Sequence, residues 1–247
     1  MSMESSSARI AIDRPARAAT SPNFFFVAHL ALLAAVLFGF SPTFYLHSVF
    51  KVGSFPTVLY VHGAVLTGWF VLTVSQASLM HLGRPQLHRQ LGYVTAGYAL
   101  LVVVMGLVAD TRIALQTDSA VSVDNLIFWG NLFTLLLFAV FVSLAVVFRG
   151  NPDAHKRLTL LASFSIVGPA LARFTEWRIF PGGDEARPIY GIGGLLLLFA
   201  SLIVYDLIVR RRPHPVSWIG AVAILVSLVI AGLLGLSGEG YRFLHAA

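Results

Sequence analysis

Seven stretches of this chain are apolar for long enough to meet a lipid bilayer, and no other feature of the sequence limits its fold as tightly. They run from Phe24 to Phe40, Thr57 to Met80, Leu91 to Ala109, Leu126 to Phe148, Leu158 to Phe174, Ile189 to Val209 and Trp218 to Leu236. A helix rises about 1.5 Å per residue, so about 20 apolar residues cross the hydrocarbon core. Six stretches approach that length. The Leu158–Phe174 stretch is shorter and holds Pro169, which makes it the weakest span. Only 11% of the residues are charged, against about 25% in soluble domains. The expected fold is therefore all-α: one polytopic domain of seven transmembrane helices over residues 23–238. A polar, disordered cytoplasmic tail (1–22) is expected before it and a short outer tail (239–247) after it. The first 22 residues have neither the apolar core nor the small-residue cleavage pattern of a secretory signal.

Charge sets the expected orientation. With seven spans and the N-terminus inside, eleven of the 17 Lys and Arg residues fall on cytoplasmic segments and six on outer ones. Basic residues accumulate on the cytoplasmic side of short membrane loops, so the chain is read as an inner-membrane protein with its N-terminus in the cytoplasm. The net charge of +6 is accounted for by these loops, and nucleic acid is not an expected partner. There is no cysteine, which excludes disulfides, Cys-ligated iron–sulfur clusters and covalent haem attachment through a CxxCH motif.

The second apolar stretch carries a polar stripe. His62, Trp69 and Gln76 stand seven residues apart, and each step of seven turns the helix by two revolutions less about 20°. They form one line roughly 21 Å long. Lipid offers such groups no hydrogen-bond partner, so the line is expected to face other helices while Leu72 and Leu79 lie away from it. His62 reads either as a haem or metal ligand or proton carrier, or as a structural histidine bonded to a neighbouring helix; in the metal reading His47 is the candidate second ligand. Trp69 reads as packing or an internal hydrogen-bond donor, and Gln76 as an interhelical bond.

A second row gathers at the expected cytoplasmic ends of the helices: His81, His88, Arg89, His155, Arg157, Asp206 and His214. Pro85-Gln-Leu-His88-Arg89 and Pro152-Asp-Ala-His155-Lys156 echo one another, and Pro213-His214-Pro215 does so more loosely. This pattern hints at parallel helical-hairpin repeats. Imidazoles and a carboxylate converging there could ligate a b-type haem or a metal, or bind a quinone or an anionic headgroup. The plain alternative is that basic residues anchor helix ends at the interface, with Asp206 paired to Arg210 at i,i+4 and Arg173 to Glu176. No metal site is assigned. The loop after the third stretch, with Asp110, Asp118 and Asp124, reads as solvated.

The strings HGAVLTGWFVLTVSQASL and LHRQLG, then PDAHKRLTLLAS with ALARF, then YDLIVRRRPHP, resemble a group of bacterial multi-pass membrane proteins known as a domain of unknown function. The resemblance implies the topology and the choice of residues, and no activity. The GxxxxGK[ST], GxSxG, HExxH and GxGxxG patterns are missing, as is the paired HxxxH of seven-helix zinc hydrolases. With no histidine in the fourth stretch, a two-haem arrangement is not expected, whereas a single haem between His88 and His155 stays open. The reading from sequence is a redox or cofactor-binding membrane component holding haem b or quinone. The alternatives are a non-catalytic accessory subunit touching lipid or a partner, and a small-solute transporter.

Overall fold

Seven helices form where the seven apolar stretches stand, and most extend beyond them. The computed structural model describes residues 23–50, 53, 55–115, 123–238 and 241; the two expected tails lie outside these residues except for Tyr241. The helices are α1 Asn23–Phe40, α2 Thr57–His81, α3 Pro85–Leu115, α4 Val123–Val147, α5 Pro152–Ala172, α6 Arg187–Arg210 and α7 Pro215–Ser237. There is no strand among the described residues. α1 runs on through a wider π-helical turn, Ser41–Tyr45, past the end of its apolar stretch at Phe40.

The extra length comes from polar first turns that hydropathy does not register. α3, α5 and α7 each begin at a proline, whose missing N–H is not needed there and whose φ already suits a helix. Asn151 caps α5, its side-chain oxygen accepting from the N–H groups of Asp153 and Ala154 at 3.2 and 3.3 Å. His214 caps α7 in the same way, Nδ1 accepting from the Val216 N–H at 3.1 Å. Between α2 and α3 the chain reverses through Gly83 at φ +68°, a left-handed conformation that costs glycine little.

α5 is the axis of the bundle. α1, α4, α6 and α7 all pack on it, and α3 lies between α2 and α4. In its membrane-crossing part 61% of the residues are buried, against 17–33% in the other six spans. The stretch that looked weakest as a span is thus the innermost helix. A helix shielded from lipid has no need to be apolar all round, and α5 buries Arg157, Ser163 and Ser165 among Leu160, Leu161 and Phe164. Close approach to α5 depends on small residues: a Cβ at Gly39 of α1 would run into the carbonyl oxygen of Ala170.

We call the end where α3, α5 and α7 begin the proximal end, and the other the distal end. At the distal end Phe38 stacks on Trp177 with centroids 4.7 Å apart, and Phe50, Phe174 and Phe180 join them. Asp110 corrects the sequence reading. It sits inside α3, is only 4% exposed, and accepts a hydrogen bond from Asn131 Nδ2 of α4 at 3.0 Å. The apolar pattern ends at Ala109, but the helix and its packing do not.

Candidate functional site

The polar row at the proximal end divides into two groups with different chemistry. The first is a closed network. Arg157 of α5 and Asp206 of α6 are 1% and 0% exposed and form an ion pair, with Arg157 Nε donating to Asp206 Oδ1 at 3.0 Å. The other oxygen of Asp206 accepts from the Ser217 hydroxyl at 2.6 Å and from the His214 backbone N–H at 2.9 Å. Arg157 Nη1 donates to the Asp153 carbonyl at 2.7 Å, and its guanidinium lies over the rings of Phe25 and Tyr205. Asp206 is therefore not the partner of Arg210. Arg210 bonds Asp153 at 3.1 Å instead, because the α6 carboxylate turns inward, away from its own helix's last turn. Four elements, α1, α5, α6 and α7, meet on this one pair. A buried charge pair with all its lone pairs used holds helices in register and offers little to a ligand.

The second group is open. His88 of α3 and His155 of α5 lie with ring centroids 6.1 Å apart, nearly perpendicular at 88°. Each is pinned in the same way. His88 Nδ1 donates to the backbone oxygen of Gln76 on α2 at 3.3 Å, and His155 Nδ1 to that of Ala145 on α4 at 2.8 Å. In both hairpins, α2–α3 and α4–α5, a histidine on the first turn of the second helix holds the end of the first. A carbonyl oxygen can only accept, so Nδ1 carries the proton of each neutral ring and Nε2 is left as a lone pair. Neither Nε2 has a partner among the described residues. Arg89 is exposed, and His214 is occupied as the cap of α7. Its ring is held below the usual imidazole range, first by burial and then by the nearby Arg157 and Arg210.

The stripe on α2 faces inward. Trp69 and Gln76 are buried. The Trp69 indole N–H donates to Ser163 Oγ of α5 at 3.2 Å. His62 is half-buried and its Nδ1 bonds the Met105 carbonyl of α3 at 3.0 Å. His47 stays in its own segment, on Phe44 O at 3.0 Å and near Tyr60, and so is not a partner of His62. Gln76 donates through Nε2 to Thr95 Oγ1 of α3 at 2.9 Å, and Thr95 in turn donates to the Leu91 carbonyl. That fixes the amide orientation and leaves Gln76 Oε1 buried with no donor.

From His88 a track of small residues runs along α3. Gly92, Ala96, Ala99 and Val103 follow at steps of four, four, three and four residues, which keeps them on one face. Three of these residues, Ala96, Ala99 and Val103, line a cavity of about 180 Å³ between α3 and α4, together with Phe138, Val142 and Ser143.

Sequence reasoning missed several buried polar groups. His29 of α1 is 4% exposed with Nδ1 unpartnered, and Asn125 reaches the Gly235 carbonyl of α7 at 3.1 Å. His29 is a single polar residue inside an apolar run and Asn125 stands directly before one, so hydropathy marks neither. Arg173 is not held by Glu176. It bonds the Pro169 carbonyl and lies 4.6 Å over Phe40, while Glu176 pairs with Arg187. No group of three or more His, Cys, Asp or Glu suited to a metal ion occurs among the described residues.

Seven helices, each long and apolar enough to cross a bilayer, define a polytopic α-helical membrane protein. No protein-family model, curated protein or solved structure matches the chain, so its function is argued from its own geometry.

Proposed function

We propose that this protein binds a lipophilic ligand of the quinone class, with the polar head at His88 and His155 and the tail along the groove between α3 and α4. The histidine pair is the observation that carries the reading. Two rings from different hairpins are brought to 6.1 Å, each is fixed by its Nδ1, and each keeps Nε2 uncommitted. Histidines serving only as anchors have no reason to converge. Helix spacing supports the tail's direction: Ala96, which lines the apolar groove, stands eight residues from His88, about two turns along the same face of α3. A haem between the same rings is the weaker fit. The groove is about 180 Å³, below the roughly 300 Å³ at which cofactor-sized pockets begin, so it suits a chain better than a porphyrin plate. The basic bias of the sequence supports an inner-membrane location with the N-terminus and this site on the cytoplasmic side.

The test is solvent extraction of the purified protein, with chromatography of the extract and an absorption spectrum. The expected result is about one quinone per parent chain, falling at least tenfold in His88→Gln and in His155→Gln while both variants keep the parent's thermal stability. Equal quinone content in all three proteins would end this reading. A haem absorption band lost with either histidine would replace quinone with haem. The closed Arg157–Asp206 network favours a second reading, an accessory subunit whose proximal row only fixes helices; a preparation free of any small molecule is its expected signature.

A further inference from the structure

We infer that the head site takes the reduced, hydroxyl-bearing form of its ligand, a quinol, in preference to the quinone, and that Gln76 is the third residue contacting it. The inference rests on the quinone-class reading above.

It follows from counting donors and acceptors. Because Nδ1 of His88 and of His155 each donates to a backbone carbonyl, both neutral rings present only an acceptor, Nε2. Gln76 Oε1 is a third. It is buried and without a donor, because the amide's N–H side is spent on Thr95. Its residue is tied to the pair through the main chain, since the backbone oxygen of Gln76 is the one that His88 holds. Gly92 puts no side chain against this amide: a Cβ there would stand 3.8 Å from Gln76 Nε2, with no other atom within 4 Å. The neighbouring cationic donors are committed or turned away. Lys156 is on Asp153 at 2.7 Å, Arg157 is on Asp206 and Asp153, and Arg89 is exposed.

Among the described residues these three atoms are acceptors, and no cationic side chain beside them is free to donate. A quinone head has only carbonyl acceptors toward hydrogen-bonding partners, and set against this site its oxygens face lone pairs. A quinol has two O–H donors. Sites built to bond a hydroxyl discriminate strongly against the analogue that lacks it, because their own polar atoms are then left unpaired.

The experiment uses the full chain in lipid nanodiscs, titrated anaerobically in a calorimeter with three probes: a decyl-tailed benzoquinol, its quinone, and the quinol's dimethyl ether, which keeps shape but loses both donors. The quinol should bind at least tenfold more tightly than either of the others. For a two-electron couple that is an upward shift of about 30 mV in the bound midpoint potential. In Gln76→Leu the preference should shrink at least threefold. In Thr95→Val, which removes the Nε2 partner but keeps Oε1, it should persist, and this separates a ligand contact from a packing role. Equal affinity for quinol and quinone overturns the selectivity and leaves the binding site standing. Failure of all three probes to bind overturns both. A preference untouched by Gln76→Leu leaves Oε1 to water and removes Gln76 from the site.

Discussion

Asp206→Leu should be among the most damaging single changes in the bundle, and its size can be worked out from the contacts. An ordinary interhelical hydrogen bond in a bilayer averages about 0.6 kcal/mol. Asp206 is not ordinary: it is 0% exposed and accepts from Arg157, the Ser217 hydroxyl and the His214 N–H. Leucine would leave three donors unanswered, one of them the charge of a guanidinium that is 1% exposed. Breaking a buried pair from one side costs about 3–5 kcal/mol, several times what one lost hydrogen bond explains. Arg157→Met alone should cost a similar amount. The double variant, Arg157→Met with Asp206→Leu, should recover much of the loss, because removing both charges also removes their desolvation penalty. Reversible denaturant unfolding in detergent micelles, followed by circular dichroism, measures all three. If each single variant costs less than about 1 kcal/mol, or if the double variant costs the sum of the singles, the pair is not the buried, coupled unit described here.

Other consequences are open to simpler measurements. Gly39→Ala should destabilise by about 1–3 kcal/mol, as overpacking does, because its Cβ would strike the Ala170 carbonyl; Gly97→Ala, with open space around it, should be neutral or slightly stabilising in the same unfolding assay. His214 should make stability depend on pH. Its folded ring resists protonation while the unfolded one titrates near pH 6.5, so its contribution is complete above about pH 6.5 and is lost as pH falls toward the lower folded value. His214→Asn keeps a capping oxygen and should flatten that part of the profile. Reporter fusions after Gly150, Gly183 and Arg212 should report inside, outside and inside; an inside signal at Gly183 would remove α5 as a span and contradict the arrangement around it.

The helix count could be read from the sequence because lipid exposure imposes it: six of the seven helices have most of their membrane-crossing surface unburied, and only apolar residues suit such a surface. The identity of the central helix could not be read, for the same reason. Hydropathy reports what touches lipid, and α5 touches little of it. The inward face of α2 was legible from a seven-residue spacing, which depends only on helix geometry. Partnerships were not. Asp206 and Arg210 stand one turn apart, which suggested a local pair, yet the carboxylate's partner is 49 residues away on α5. Asp110 looked like a loop residue because a lone carboxylate ends an apolar run whether it meets water or, as here, an asparagine of the next helix.

The central place of α5 has a bearing on how the chain is made. A helix that carries an arginine in its second turn and crosses the bilayer with Ser163 and Ser165 on its buried side is poorly matched to lipid by itself. The carboxylate that answers Arg157 belongs to α6, and the serine and backbone N–H that complete the set belong to the segment leading into α7. During synthesis α5 therefore emerges well before its partners do. A nascent chain stopped at Glu176 would leave Arg157 with only the partly exposed Asp153 for a carboxylate partner, the kind of flaw by which quality-control proteases recognise an unfinished protein.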